Sequence, residues 1–320
     1  MKNLVKCVQN TNSRHKLWEK GEKIILGVSG GPDSMVLFHV FSILAKKENL
    51  ELIVAHVNYG FREDSYKDEK IVRDFAEKVG IPCKILSDFK LEEKDCNENK
   101  WRQIRFDFFS KIKEKYKADK IALAHTKNDQ AETLLLHLLR GSGLNGLSAM
   151  RYERDGIVRP LLDISRDEIM EYIKKNEISF AVDSSNKDTK FLRNKIRLEL
   201  IPYLKENYNE KMVDILSQAT KNVADDYDYL ASQQRVFWEL GDDENSLFFS
   251  AQEFSEKHVS EQKYALRMMI SSLLGHLQNI ETGTVEEIRL LALSTKSKSQ
   301  EMRFKNLKIV RKGDIITMFK

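Results

Sequence analysis

Residues 23–34, KIILGVSGGPDS, dictate more of the architecture than any other stretch of the chain. The apolar run at 24–28 has the length and composition of a parallel strand covered on both faces. It breaks at Ser29, Gly30, Gly31 and Pro32, where two glycines open backbone angles closed to other residues. Beyond Asp33 and Ser34, the residues Val36, Val40, Ile43 and Leu44 recur at helical spacing. A strand, a glycine turn and a helix N-terminus make a phosphate cradle, because backbone N–H groups face the turn and the helix dipole favours an anion there.

The turn is not of the GxxxxGK[ST] kind. That loop needs a lysine to reach the terminal phosphates, and no lysine lies between Lys23 and Lys46. Nor does it match the GxGxxG dinucleotide fingerprint.

The alternation continues. Residues 51–57 read as a second buried strand, ending in a turn at Asn58, Tyr59, Gly60, Phe61 and Arg62. A helix with Ile71, Val72, Phe75 and Val79 on one face follows, then a short strand at 83–86. From about Asn97 a helix turns Trp101, Ile104, Phe108, Phe109, Ile112 and Tyr116 inward. A strand at 121–125 leads to a helix starting near Asn128. Such alternation predicts an α/β fold with a Rossmann-like, doubly wound parallel sheet, whose ligands sit at the C-terminal ends of the strands.

Several side chains stand where such ligands bind. Asp129 and Glu132 lie one helical turn apart, just after His125 at a strand end. They either complement the helix dipole or bind Mg²⁺ or an incoming ammonium group. None of the histidines has the company of a zinc ligand. Arg102 and Arg105, three apart, share one helix side, and a solvated basic face is the plain reading of them. A glycine-rich loop at 140–146 is either a substrate-facing segment or a connector. Ser165 and Glu168 form a capping box for a helix ending near Asn176. After Asp183, Ser184, Ser185 and Asn186, a basic patch of Lys190, Arg193, Lys195 and Arg197 is of the kind that grips phosphate.

From about Asn207 the character changes. Residues 210–240 read as one long helix linking two domains, with a break at 241–245. A helix follows at 260–274, then a second capping box at Thr284 and Glu287. Alternating residues up to Ile309, a turn at Lys312, Gly313 and Asp314, and a return through Ile315 and Ile316 predict a hairpin. The expected division is a catalytic domain at 1–205 and a smaller, mostly helical domain with a terminal hairpin at 206–320. Eight basic residues (Lys296, Lys298, Arg303, Lys305, Lys308, Arg311, Lys312 and Lys320) face only Glu301 and Asp314 in the tail. Either they bind phosphate or they form a solvated surface.

Composition adds limits. A length of 320 residues suits two domains, and a net charge of +4, from 53 basic and 49 acidic residues, does not by itself announce a nucleic-acid binder. Cys7, Cys83 and Cys96 form neither a CxxC pair nor a disulfide framework. No apolar run approaches the roughly 20 residues of a membrane span, and the first residues lack a signal-peptide core. A cytoplasmic, reduced protein is expected.

Taken together, these segments are similar to the tRNA(Ile)-lysidine synthetases of the PP-loop ATP pyrophosphatase superfamily. The resemblance runs from the SGGPDS loop to about Leu204. It takes in HVNYGFR from His56, NENKWRQIR from Asn97, AHTKNDQAET from Ala124 and RGSGLNGL from Arg140. Arg159-Pro160-Leu161, DSSN from Asp183 and RNKIR from Arg193 complete it, all in the family's order. Asn128, Thr126 and Tyr59 depart from the family's usual residues at their positions.

The resemblance implies that ATP adenylates C2–O of the wobble cytidine in the CAU anticodon of an isoleucine tRNA, after which L-lysine displaces AMP to give lysidine. It implies ATP binding by Ser29, Gly30, Gly31, Pro32, Asp33, Ser34 and His56, and Mg²⁺ at Asp33. It implies catalytic roles for Asp33, Arg102, Arg105 and Asp129, with lysine held by Asp129 and Glu132. Arg193, Lys195, Arg197, Lys305, Lys308 and Arg311 are expected to bind the tRNA, and a homodimer is compatible with this reading. PP-loop thiolases, the nearest rivals, need cysteines that these three scattered ones do not supply.

Overall fold

The computed structural model describes residues 3–60, 65–87, 98–181, 191–233, 237–241, 245–275, 280–296 and 298–320, with the side chains of Glu98 and Asn99 excepted. Phe61, Arg62, Cys96, Asn97, residues 183–186, Lys190 and residues 242–244 of the expected break lie outside these. The chain divides into two compact units, Met1–Leu136 with Ala149–Thr220, and His137–Ser148 with Lys221–Lys320.

The first unit begins with α1 (Leu4–His15), β1 (Lys23–Gly27), α2 (Pro32–Glu48), β2 (Glu51–Val57), α3 (Ser65–Val79) and β3 (Cys83–Leu86). It continues with α4 (Glu98–Tyr116), β4 (Lys120–Leu123) and α5 (Lys127–Leu139), whose last residues belong to the second unit together with the short α6 (Leu144–Leu147). After β5 (Glu153–Arg154), β6 (Ile157–Val158) and α7 (Arg166–Asn176) come α8 (Leu192–Lys195), a π-helical turn (Ile196–Leu200) and α9 (Ile201–Asn207). The strand order is β3-β2-β1-β4-β6-β5, parallel except for β5.

Alternation of side chains explains why these strands are apolar throughout. Ile24, Leu26, Leu52, Val54, Ala122 and Val158 face a core closed by α1, α2, α3 and α7. Ile25, Ile53, Ala55, Ile121 and Leu123 face the other way, onto Phe109 and Ile112 of α4. Both faces are covered, so the sheet is doubly wound as expected. The packing on the α4 side is close: a Cβ on Gly27 would stand 2.7 Å from Leu123 Cδ2 and 2.9 Å from Phe109 Cζ. The expected capping box forms on α7, where Ser165 Oγ accepts from the Glu168 N–H and Glu168 accepts from the Ser165 N–H.

The long helix α10 (Met212–Gln233) contributes residues to both units. It is shorter than the 210–240 helix expected. Phe237 leaves the helical register to pack its ring 5.8 Å from that of Phe249 and 6.0 Å from that of Phe254. Glu239 and Leu240 form β7 (Glu239–Leu240), an edge strand on β8 (Ser246–Ser250). Then come α11 (Ala251–Glu256), α12 (Val259–Leu274), α13 (Thr282–Ala292), β9 (Gln300–Phe304), β10 (Leu307–Lys312) and β11 (Ile315–Phe319).

The predicted hairpin is β10–β11, and it belongs to a five-stranded antiparallel sheet of order β7-β8-β11-β10-β9. Leu247, Phe249, Leu307, Ile309, Ile316 and Met318 alternate onto a core shared with α12 and α13. The capping box expected at Thr284 does not form: α13 starts three residues earlier, with Glu281 as N-cap and no side-chain cap. Burial of Val285 and Ile288 sets that register. Among the described residues no helix is long and apolar enough to cross a membrane.

Candidate active site

Strand order decides where the site lies. β1 pairs with β2 on one side and with β4 on the other, so the connections leave in opposite directions from the β1–β4 boundary. At such a switch point a crevice opens beyond the strand C-termini. The glycine turn leaving β1 and the His125 segment leaving β4 both sit there.

The turn is built by its own short side chains. Ser29 N–H donates to Ser34 Oγ (3.1 Å), and Ser34 Oγ–H donates to Gly31 C=O (2.9 Å). Gly30 holds φ at +89°, open to glycine, and a Cβ there would press to 3.3 Å of the Asp68 carbonyl oxygen. Ala181 N–H donates to Gly30 C=O (2.9 Å), tying residue 181 to the loop. Gly31 is the N-cap of α2, Pro32 occupies the first turn, and no side chain caps the helix. Its first N–H groups are therefore left for an outside anion.

Asp33 points an oxygen, Oδ1, into a buried position without a hydrogen-bond partner. Burial pushes its pKa up to about 6; Arg166 and Arg197 oppose that rise, while Asp129 and Glu132 add to it. Asp33 is thus electrostatically joined to the acidic pair that follows β4. His56, at the end of β2, is buried, with Nδ1 2.8 Å from Val28 C=O. A carbonyl only accepts, so Nδ1 carries the proton and Nε2, which has no partner, is an acceptor. Burial lowers the His56 pKa and favours that neutral form.

Asp129 and Glu132 are engaged in a way the sequence did not disclose. Asp129 Oδ2 accepts from the N–H (2.8 Å) and hydroxyl (2.9 Å) of Thr126, so the carboxylate does cap α5. Its Oδ1 accepts from Arg193 Nη2 (2.9 Å) and Arg197 Nη2 (3.3 Å). Glu132, 2% exposed, accepts from Arg193 Nε (3.0 Å) and from Arg197 Nε (2.5 Å) and Nη2 (2.9 Å). Although buried, Asp129 has its pKa held down by Arg193, His125, the Thr126 N–H and Arg197. Arg193 and Arg197, one turn apart, turn inward, while Lys195 between them is exposed. Two residues of the expected tRNA-binding patch therefore neutralise the expected lysine-binding pair. The π-helical turn sits directly after Lys195 and before Pro202, which cannot donate a helical hydrogen bond.

Around this quartet lie residues of the α4 side. Arg102 and Arg105 stack their guanidiniums 4.7 and 5.7 Å from the Phe106 ring centre. Tyr59 O–H donates to Trp101 C=O (3.0 Å), joining the β2 turn to α4. Asn128 Oδ1 accepts from the Arg166 N–H (2.9 Å) at the start of α7, so this departure from the family pattern has a structural task. Burial drives the His125 pKa down to about 3 despite Asp129, with Arg159, Arg193 and Arg105 adding to the fall. Sequence reasoning missed Arg166 and gave Arg159 no role; only strand order brings either to the site.

In the second unit, Lys308 pairs with Glu301 (3.2 Å) and Lys305 is exposed. Arg311 differs. It donates to the carbonyls of Gly313 (3.1 Å), Leu291 (3.4 Å) and Ala292 (2.5 Å), capping the C-terminal end of α13. Among the described residues no cluster of three His, Cys, Asp or Glu could hold a metal ion. Mg²⁺ bound through one carboxylate and the substrate's own phosphates fits Asp33 Oδ1 beside an uncapped helix.

Comparison with known proteins follows the same lines. The PP-loop domain family matches residues 2–204. The tRNA(Ile)-lysidine synthase of Clostridium tetani is 36% identical over 99% of this chain and 69% of its own length. That of Clostridioides difficile is 34% identical over 97% of this chain and 69% of its own length. The fold resembles that of the U34-tRNA thiolase of Methanococcus maripaludis, with a TM-score of 0.57 at 19% identity over 73% of this chain and 79% of that one. A PP-loop placed at the β1–β4 switch point, and identity with these synthases sustained along almost the whole sequence, lead to one conclusion: the chain belongs to the tRNA(Ile)-lysidine synthase family of PP-loop ligases.

Proposed function

We propose that this protein joins L-lysine to C2 of the wobble cytidine in the CAU-anticodon isoleucine tRNA. In the first step the cytidine O2 attacks the α-phosphorus of ATP, the bond to the β-phosphate oxygen breaks, and pyrophosphate leaves. In the second, the lysine ε-amine attacks C2, the C2–O bond breaks, AMP leaves with that oxygen, and the amine loses a proton. Adenylation turns a poor leaving group into a good one.

The carrying observation is that Asp33, on the anion-receptive turn, shares its electrostatic surroundings with Asp129, Glu132 and Arg197. One crevice thus offers a phosphate cradle and a carboxylate pair suited to an ammonium group. The uncapped N–H groups of α2 stabilise charge developing on pyrophosphate. Mg²⁺, when bound at Asp33, supplies neutralisation of the phosphates. For lysine to reach Asp129 and Glu132, its ammonium must share or replace the guanidiniums there, and its α-carboxylate is a ready partner for a displaced Arg193 or Arg197. His56 offers Nε2 as an acceptor to the nucleotide. Lys305 and Lys308 in the second unit are suited to hold tRNA phosphates. The domain limits 1–205 and 206–320 remain our working division for truncations.

The test is incubation with ATP, labelled L-lysine and unmodified bacterial tRNA. Label should enter one isoleucine tRNA at the wobble cytidine, with AMP and pyrophosphate formed in step. Label that stays free while ATP turns over would refute the lysine assignment.

A further inference from the structure

Two helix starts meet beside the crevice, and each supplies a partner the other lacks. The first N–H groups of any helix have no acceptor within it. At the start of α5, the Lys127 N–H donates to Ile164 C=O (2.9 Å). At the start of α7, the Arg166 N–H donates to Asn128 Oδ1 (2.9 Å). Residues 163–166 are thus clasped to the turn that carries Asp129. Asp129 in turn accepts from the N–H and hydroxyl of Thr126, so its carboxylate moves with that turn.

Asp163 is where the segment is gripped from behind. Its Oδ1 accepts from the Tyr152 hydroxyl (2.6 Å) and its Oδ2 from the Thr11 hydroxyl (3.1 Å). Both donors are themselves fixed. Thr11 is buried on α1. The Tyr152 ring lies on the His15 ring at the end of α1, centres 3.6 Å apart and planes within 10° of parallel. Tyr152 C=O also accepts from the Arg159 N–H (2.8 Å).

These contacts do what packing alone does not. Leu161, Leu162 and Ile164 are buried and fix the depth of the segment, but apolar burial is non-directional. Hydroxyls donating to a carboxylate make directional, charge-assisted bonds that set how the segment is turned. The side-chain tie from the same turn is weaker: Lys127 Nζ pairs with Asp214, whose side chain is 59% exposed. The glycine turn on the nucleotide side has bonds of its own, among Ser29, Gly31 and Ser34.

We infer that Asp163 is a positioning residue: gripped by Thr11 and Tyr152, it holds residues 163–166 so that the α5 turn presents Asp129 to the ammonium group of L-lysine. The inference rests on the proposed ligation and gives α1 the part of a brace. It also separates the two substrates. Loss of the grip should loosen the lysine side of the site and leave the glycine turn as it is.

The test compares Asp163→Ala with Asp163→Asn in the full chain, by two measurements. The first is amide hydrogen exchange and needs no activity. In Asp163→Ala the Lys127 and Arg166 amides should exchange faster while those of β1 keep their wild-type protection. The second is the KM for each substrate in ligation. The lysine KM should rise about 10- to 100-fold, the effect of one or two charge-assisted hydrogen bonds, with the ATP KM unchanged. Asp163→Asn should recover most of both losses, because its carbonyl accepts from one hydroxyl and its amide donates to the oxygen of the other.

Wild-type exchange at Lys127 and Arg166 in Asp163→Ala overturns the inference. So does faster exchange with an unchanged lysine KM, or an ATP KM that rises in step with it, since that marks general loosening. Should Asp163→Ala fail to fold, Tyr152→Phe keeps the ring, removes only the O–H, and is judged by the same outcomes. Wild-type protein that incorporates no lysine would sink the ligation reading, and with it the role toward lysine, while the exchange measurement still decides whether Asp163 holds the α5 turn.

Discussion

Asp33 makes a sharp prediction because its environment works against its charge. Its pKa stands at about 6 in the folded protein against 3.8 ordinarily, chiefly through burial, with Asp129 and Glu132 adding to the rise and Arg166 and Arg197 opposing it. Below pH 4 the carboxyl is protonated folded and unfolded, and nothing is lost. Between pH 4 and 6 the folded state binds more proton than the unfolded one, so stability falls as pH rises. Above pH 6 the full penalty is present. Two pKa units correspond to about 3 kcal/mol, which partial exposure reduces to roughly 1–2 kcal/mol.

Asp33→Asn removes the titration while keeping the shape. It should therefore match the wild type at pH 4 and exceed it by about 1–2 kcal/mol at pH 8, while losing adenylate formation. The assay is urea unfolding at both pH values, following the transition that Mg·ATP shifts. An increment of the same size at pH 4 and pH 8, or none at pH 8, would refute the argument that burial of the charge is the cause.

Three further expectations concern packing and charge. Glu132→Gln leaves two guanidiniums to share Asp129, and with their side chains 31% and 25% exposed the loss should be about 2–3 kcal/mol; in a double-mutant cycle with Arg197→Gln the two changes should fall short of additivity by more than ~1 kcal/mol, and strict additivity would contradict the geometry. Gly27→Ala should destabilise the first unit by about 1–3 kcal/mol, because its methyl meets Leu123 and Phe109 inside normal packing distance; unchanged unfolding would mean that α4 moves aside freely. Lys305→Glu with Lys308→Glu should weaken tRNA binding at low salt without altering ATP affinity, and tRNA affinity equal to wild type would leave a solvated surface as their whole role.

Much of this protein is written locally. The run at 24–28, the glycine turn and the apolar stripe of the next helix specify β1, the loop and α2, because hydrophobic period and glycine freedom act within a few residues. The same local logic places Asp129 and Glu132 on the first turns of α5, the capping box on α7 and the turn of the β10–β11 hairpin. Partner choice is another matter. Arg193 and Arg197 read as a phosphate-gripping patch, yet they close on carboxylates 61 to 68 residues away. Arg311 reads as one more tail cation and instead caps α13. Phe237 reads as helix and is drawn instead to the rings of Phe249 and Phe254. Charge and period show that a side chain needs a counter-ion or a core, but not which one. Strand order settles that: by setting β4 between β1 and β6, it brings Asp33, His125 and Arg159 to one end of the sheet.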